Sequence, residues 1–269
     1  MLEPFKSVSQ VLEKIKEDTK DWTHNGIGKP WFRGHTRANY KLLPAILRKG
    51  NEKYEFEITN LFRLVAPGYS ATPETDRIDQ WLFLMQHHRV PTRLLDWTES
   101  PLIAVFFATI KALELNKEIK EDAAVYALDP IVLNKQSGFD FFPNTWTQNS
   151  VLQTIKFAFG TEKEPIYIDG KKISFLEDPI AIYPSIIHSR IKSQKGCFTL
   201  HGNDKRDIEA IFSNQSLLKD NRLIKYIIPK EMVIDFFSEV NDFGITYSTL
   251  FPDLDGLAKD LKFRFKILN

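Results

Sequence analysis

The segment that decides the fold is SPLIAVFFATIKALEL, residues 100–115. Ser100 can accept hydrogen bonds from free backbone N–H groups, and Pro101 follows at the first helical position, where the missing N–H of proline costs nothing. Apolar side chains then occupy most of the helical circumference, with few polar residues between them. The segment therefore predicts a central, buried helix over residues 101–115.

The composition around this helix is that of a folded protein with balanced charges. Of the 269 residues, 43% are hydrophobic and 26% are charged. The 36 basic and 35 acidic residues give a formal net charge of +1, so no bulk attraction to nucleic acid or to a membrane is expected. Nucleic acid stays open as a partner only through a local patch. The single cysteine, Cys197, excludes an intrachain disulfide and a cysteine-rich zinc site.

The sequence also indicates where the protein resides. Its first residues contain no basic region followed by an apolar run, so they predict no secretory signal. The most apolar stretch, residues 102–115, is too short and too polar to span a bilayer. We therefore expect a cytoplasmic protein without a membrane partner, and the sequence leaves its oligomeric state open.

Helical and strand patterns divide the chain into two halves. In the first half, within residues 1–25, Ser7 and Gln10 have the spacing of a capping box. In this half, apolar residues recur with helical spacing over residues 8–19, 52–65, 77–88 and 101–115. In the second half, short runs of β-forming residues cover 123–128, 165–168, 196–200 and 223–228. Helical patterns there cover 148–159, 185–193, 230–240 and 253–264.

This order predicts the fold class. We find no internal repeat and no low-complexity linker, so a single domain over residues 1–269 is expected. The class is α+β, with a helical N-terminal half packed on a mixed, mainly antiparallel sheet.

A first polar constellation is Phe32-Arg33-Gly34, in an apolar run that predicts a short strand ending in a loop. Arginine offers a planar fork of donors for phosphate oxygens, and glycine lets an anion approach the backbone. These residues indicate an anion site. The alternative, an arginine paired with a buried carboxylate, fits the spacing equally well.

A second constellation is QHHRVPTRLLDWT, residues 86–98, directly before the buried helix. Helix starts attract anions because their free N–H groups and dipole point outward. Two structural alternatives stay open: Asp96 and Thr98 can cap the helix, or Arg93 and Asp96 can pair with each other. So many polar groups beside an apolar helix would be costly without a use, which favours a functional site.

Arg190 and Gln194 lie in a third constellation, residues 190–199, which reads as a basic helix end, a glycine and a strand. Basic residues at a helix C-terminus commonly complement the helix dipole, and this interpretation competes with ligand binding. Metal binding is not expected. His87 and His88 are adjacent and would point about 100° apart on a helix, and no HExxH or paired Cys/His spacing occurs.

Together these segments resemble the FRG domain, a bacterial and phage-associated family named for a Phe/Tyr-Arg-Gly motif that Phe32-Arg33-Gly34 matches. A second family motif, similar to Gln-His-x-Gly-x-Pro-Thr-Arg-Leu-Leu-Asp-Trp-Thr, matches residues 86–98 except at Arg89, where glycine is common. The resemblance spans roughly residues 30–258. It implies a role in phage defence or a toxin-like role.

The Phe-Arg-Gly strand also resembles the start of ADP-ribosyltransferase-like folds, in which an arginine helps to hold NAD. This distant likeness implies NAD as a candidate substrate, held by Arg33. From the polar constellations we predict a catalytic set of Arg33, Arg93 and Asp96, and binding contacts from Arg33, Gly34, Gln86, His87, Thr92, Arg190 and Gln194. The catalytic glutamate of those enzymes has no clear counterpart, and Glu209 is the nearest candidate by order along the chain.

These residues support two main hypotheses. In the first, the protein is an enzyme that cleaves or transfers at the glycosidic carbon of NAD or a related nucleotide, with Arg33 on a phosphate. In the second, it is a non-catalytic module for a nucleotide or another anionic small molecule, which the missing glutamate favours. A nucleic-acid-processing enzyme is a third reading, but it lacks a carboxylate cluster for metal ions. A scaffolding role is the fourth. A carboxylate facing Arg33 across a cleft would favour the enzyme.

Overall fold

The computed structural model of the chain describes residues 4–22, 28–113, 118–137, 166–168, 171–173, 176–184, 189–213 and 221–267. Eight strands are found in these residues: β1 (Trp31–His35), β2 (Leu94–Thr98), β3 (Ala123–Leu128), β4 (Ile166–Ile168), β5 (Lys171–Ile173), β6 (Ile180–Ile182), β7 (Gly196–Leu200) and β8 (Leu223–Ile228). Six of them form one sheet in the order β6-β7-β2-β1-β3-β8, and β4 and β5 form a separate pair.

Ten α-helices are found in the described residues. They are α1 (Val8–Asp18), α2 (Glu55–Val65), α3 (Ile78–His87), α4 (Pro101–Thr109), α5 (Pro130–Gln136), α6 (Ser189–Ser193), α7 (Ile208–Ser213), α8 (Val233–Asp242), α9 (Tyr247–Leu250) and α10 (Leu254–Arg264). Short 3₁₀ turns occur at Ala45–Leu47, Asn51–Tyr54, Ala66–Gly68, Ile110–Leu113 and Lys230–Met232. No helix of the described residues is long and apolar enough to cross a membrane.

The α+β class predicted from the sequence is confirmed, with two differences in detail. Every strand pairing of the described residues is antiparallel, whereas a mixed, mainly antiparallel sheet was expected. The first half of the chain also supplies β2, a central strand that the sequence patterns did not predict. β2 forms because its side chains are buried on both faces of the sheet, with Leu94 in one apolar cluster and Leu95 and Trp97 in another. The helix predicted over residues 148–159 lies outside the described residues.

The predicted central helix is confirmed as α4. Its side chains at Ile103, Val105 and Phe106 are buried, and it lies across β1 and β3. The Phe106 ring packs 5.3 Å from the ring of Phe237 on α8. The α-helix ends at Thr109 and continues as a 3₁₀ turn, so it is shorter than the sequence pattern indicates.

The sheet has a second apolar face, opposite α4. Trp31, Leu95, Trp97 and Tyr126 pack together there with Cys197, which is fully buried. Burial raises the pKa of the Cys197 thiol well above its usual range, so this cysteine is a core residue rather than a reactive thiol. The central part of the sheet is therefore covered by apolar side chains on both faces.

Phe106→Ala should destabilise the protein by about 3–5 kcal/mol, because the substitution leaves a cavity under the central helix. The matched control is Phe56→Ala on α2, where the side chain is 75% exposed and little apolar contact is lost. Chemical denaturation of both variants checks this. Equal midpoints for the two variants would show that α4 is not part of the core.

Candidate functional site

The sheet opens between β1 and β2. Within the described residues their ladder consists of one pair, Phe32↔Thr98, whereas β1 pairs with β3 along its whole length. Past this pair, the carbonyl oxygen of Asp96 on β2 accepts a hydrogen bond from the Arg33 guanidinium of β1. A side chain thus bridges the two strands where backbone pairing has stopped. The opening forms a cleft of about 380 Å³.

Cationic groups dominate the wall of this cleft. Its charged lining residues in the described part of the chain are Arg33, Arg48, Arg89, Arg190 and one carboxylate, Asp96. The wall also contains two side-chain amides and two phenyl rings: Gln86, Gln194, Phe32 and Phe107. A surface with four guanidinium groups and one carboxylate is suited to an anion.

Arg33 is held in place by its neighbours and remains available to the cleft. Its Nε donates to Nε2 of His35 at 2.9 Å, and its Nη1 lies 3.8 Å from Oδ2 of Asp96. Its side chain is 18% exposed. Burial lowers the pKa of Arg33 to about 10, while Asp96 acts to raise it and Arg48 to lower it. Arg33 therefore stays protonated at neutral pH but is poorly solvated, so an incoming anion would stabilise it.

His35 fixes the orientation of this guanidinium. Burial, helped by the charge of Arg33, lowers the pKa of His35 to about 3, so the imidazole is neutral at pH 7. Since its Nε2 accepts from Arg33, its proton must be on Nδ1, which lies 3.2 Å from the carbonyl oxygen of Tyr40. The neutral ring thus connects the Arg33 side chain to the loop after β1.

On the β2 side, a chain of hydrogen bonds orients Asp96. The buried Thr92 hydroxyl donates to Oε1 of Gln86 at 2.6 Å, and Nε2 of Gln86 donates to Oδ2 of Asp96 at 2.9 Å. The hydroxyl contact sets the Gln86 amide so that its NH₂ group faces the carboxylate. Asp96 is nevertheless 60% exposed, so one face of the carboxylate is open to the cleft.

The far wall of the cleft comes from the second half of the chain. The guanidinium carbon of Arg190 on α6 lies 4.5 Å from the centre of the Phe251 ring, a cation–π contact. Nε2 of Gln194 donates to the carbonyl oxygen of Leu250 at 3.1 Å, which leaves its Oε1 available. Residues as distant in sequence as Phe32 and Gln194 therefore meet at one opening.

Arg93 lies outside this cleft. Its Nε donates to Oε1 of Glu55 at 2.7 Å and to Oε2 at 2.9 Å, and the two side chains are 13% and 12% exposed. Its Nη1 also donates to the carbonyl oxygen of Gly202. Through these hydrogen bonds, Arg93 connects the start of β2 to α2 and to the loop after β7. Of the two arginines expected to act together, Arg33 lines the cleft and Arg93 is part of the framework.

Other expected site residues are also placed away from the cleft wall. Glu209 on α7 accepts from the Tyr126 hydroxyl at 3.2 Å and lies 3.6 Å from Nζ of Lys225. The His87 ring packs 4.8 Å from the ring of His88 at the end of α3. Thr92 does not line the cleft, but its hydroxyl is hydrogen-bonded to Gln86 and Leu94, which do. The residues that converge on the cleft are Arg33, Gly34, Gln86, Asp96, Arg190 and Gln194.

Two cleft arginines, Arg48 and Arg89, were not among the expected site residues. Arg48 donates through Nε and Nη2 to the carbonyl oxygen of Leu43 at 2.9 and 2.7 Å, which turns its side chain along the cleft rim. For Arg89 a signal was available, because it replaces the glycine that the family motif commonly has at a turn. No group of three or more His, Cys, Asp or Glu residues in the described part of the chain is arranged to hold a metal ion.

Comparison with known families agrees with the two motifs. The model of the FRG domain matches residues 28–117. This span contains β1, β2 and α4, whereas Arg190 and Gln194 come from beyond it. The family predicted from the motifs is therefore confirmed for this part of the chain. None of the curated proteins and none of the solved structures matches the chain.

Gly34→Ala should destabilise the protein by on the order of 1–3 kcal/mol. A Cβ at this position would lie 2.0 Å from the carbonyl oxygen of Ala104 and 2.4 Å from the backbone nitrogen of Ala108, so β1 and α4 would have to separate. The control is Gly68→Ala, where a Cβ would meet no atom within 4 Å. Thermal unfolding of both variants checks this, and an unchanged melting temperature for Gly34→Ala would contradict the close strand–helix contact.

Proposed function

We propose that this FRG-domain protein binds the phosphate group of a nucleotide in the cleft between β1 and β2. The observation that carries the proposal is the charge of the cleft wall, where four guanidinium groups accompany one carboxylate. Guanidinium forks match the geometry of phosphate oxygens and can donate two parallel hydrogen bonds to them. A nucleotide phosphate would supply the negative charge that the described residues of the wall lack.

The size and lining of the cleft favour a nucleotide over a bare phosphate ion. A volume of about 380 Å³ is near the lower end of the range for small-molecule sites, roughly 300–1,000 Å³. Phe107 offers an apolar wall for a ring, and the amides of Gln86 and Gln194 can donate to or accept from a base or a ribose hydroxyl. These contacts are of the kind that a nucleoside needs beyond its phosphate.

The environment of Arg33 favours ligand binding over the structural alternative raised by the sequence. A structural arginine is paired with a buried carboxylate, as Arg93 is with Glu55. The carboxylate nearest to Arg33 is Asp96, which lies 3.8 Å away and is 60% exposed. This loose pair leaves the buried guanidinium incompletely compensated, so a phosphate in the cleft gains more from it than from an exposed arginine.

A second candidate function is cleavage of NAD at its glycosidic bond, with transfer of ADP-ribose or hydrolysis. The observation that favours it is that Asp96, 3.8 Å from Arg33, is 60% exposed and lines the cleft, so its carboxylate is available to a bound ligand. Cleavage would proceed as the C–N bond to nicotinamide breaks and its electron pair leaves with the ring nitrogen. The Asp96 carboxylate would then stabilise the positive charge that develops on the ribose. Water, or an acceptor group in the case of transfer, would form the new bond to the ribose carbon and release its proton to solvent. A role in phage defence or a toxin-like role, which the family resemblance implies, stays a prediction.

Arg33→Lys should weaken the binding of AMP by about 10- to 100-fold, because lysine keeps the charge but loses the fork of donors. Its melting temperature should change little. The matched comparison is Arg93→Lys, which should lower the melting temperature because the pair with the largely buried Glu55 is weakened. Calorimetric titration with AMP and thermal unfolding on the same preparations measure both properties.

The opposite pattern would contradict the proposal. If Arg33→Lys lowers the melting temperature and binds AMP normally per folded molecule, Arg33 is a structural residue. If Arg93→Lys weakens AMP binding without loss of stability, the binding site lies elsewhere than in the cleft described here.

For the second candidate, incubation of the protein with NAD should release nicotinamide, measured by chromatography. Asp96→Asn should abolish the release, because the amide cannot stabilise the developing positive charge. The same variant should keep or increase its affinity for AMP, since a charge that repels phosphate has been removed. Binding of NAD without release of nicotinamide would reject the enzyme and leave the binding function in place.

A further inference from the structure

Arg89 occupies a backbone position that favours glycine. Helix α3 ends with two hydrogen bonds, from the N–H of Arg89 to the carbonyl oxygen of Gln86 and from the N–H of Val90 to that of Met85, both 3.0 Å long. This pattern is a Schellman motif, whose residue after the C-cap adopts a left-handed conformation and is most often glycine. Arg89 has φ 62° and so takes this conformation with a side chain attached. The turn itself gives no reason for an arginine.

The side chain of Arg89 adds a charge to the cleft that nothing in the described part of the chain balances. Arg89 is exposed and lines the cleft with Arg190. Within the described residues, neither guanidinium forms an ion pair with a carboxylate, and the contact made by Arg190 is with the Phe251 ring. Burial lowers the pKa of Arg190, and the charge of Arg89 contributes to the same direction. The two arginines therefore repel each other while the cleft is empty.

The four guanidinium groups of the wall come from different elements. Arg33 lies on β1 and Arg48 directly after the 3₁₀ turn Ala45–Leu47, whereas Arg89 follows α3 and Arg190 lies on α6. In the described residues the wall thus carries four positive charges and one negative charge. A single phosphate group supplies about two negative charges, so two linked phosphates match the charge of the wall better and can contact guanidinium groups from more than one element.

We infer that Arg89 and Arg190 form a second phosphate subsite of the cleft, and that the ligand is a nucleotide with a diphosphate group rather than a monophosphate. This inference rests on the proposed function, because it assumes that Arg33 binds one phosphate. Arg89 is the specificity-determining residue of the subsite: its side chain distinguishes a ligand with two phosphates from a ligand with one.

Lys266 provides a matched control for Arg89. It follows α10 with φ 53°, and its turn has the same two hydrogen bonds, from the N–H of Lys266 to the carbonyl oxygen of Phe263 and from Ile267 to Lys262. Lys266 is exposed and does not line the cleft. Lys266→Gly therefore removes one positive charge and relieves one left-handed residue, as Arg89→Gly does, without touching the proposed subsite.

The test compares dissociation constants for AMP and ADP in the unmodified protein, Arg89→Gly and Lys266→Gly, at a salt concentration near 0.15 M to screen distant charges. The unmodified protein should bind ADP about tenfold or more tightly than AMP. Arg89→Gly should bind the two nucleotides within about twofold of each other, because ADP affinity falls by more than AMP affinity. Lys266→Gly should keep the full preference for ADP. Both variants should melt at the same temperature as the unmodified protein or higher, since glycine fits the turn better.

Three results would overturn the inference in distinguishable ways. If Arg89→Gly keeps the ADP preference, the second subsite is wrong and the single-phosphate site stands. If the affinities for AMP and ADP fall equally in Arg89→Gly, the charge of Arg89 attracts both nucleotides and Arg89 does not form a separate subsite. If the unmodified protein binds neither nucleotide, the proposed function itself fails and this inference fails with it.

Discussion

The structure depends on the close contact between β1 and the backbone of α4. Gly34 allows it, because any side chain at this position would overlap the carbonyl oxygen of Ala104. Side chains alternate along a strand, so with Gly34 turned to the helix, its neighbour Arg33 points away from it, on the side of His35 and Tyr126. Gly34 and Arg33 therefore act together. Gly34 lets β1 pack directly on α4, and this packing fixes Arg33 beside the opening between β1 and β2. This accounts for the motif without requiring that an anion touch the glycine.

The net charge of the chain does not reveal the concentration of positive charge in the cleft. The chain has a formal charge of +1, yet four guanidinium groups meet one carboxylate in a cleft of about 380 Å³. Charges in solvent are screened over about 10 Å, so the electrostatics of a site are set by groups within a few ångströms rather than by the sum over the chain. Asp96 has the opposite role within this group, since it acts to keep Arg33 and Arg190 protonated.

Much of the fold could be predicted from the sequence, because α4, β3, β7 and β8 carry strong local patterns. β2 could not, since its five residues include Asp96 and follow a proline, and their burial comes from strands distant in sequence. For the site, the motifs identified Arg33, Gln86 and Asp96. They could not separate Arg33 from Arg93, because the partner of Arg93 is Glu55, 38 residues earlier on a helix with no motif. Glu209 was selected only by its position in the order of residues along the chain, and that order does not determine where a side chain lies in the fold.

The central claim is that the opening between β1 and β2 binds a phosphate through Arg33. A crystal structure of the protein with AMP tests it most directly. The account predicts that the phosphate lies in the cleft and accepts hydrogen bonds from the guanidinium groups of Arg33 and Arg48, while Nε of Arg33 keeps its bond to His35. An empty cleft with AMP bound at another surface, or a phosphate in the cleft that Arg33 does not contact, would contradict it.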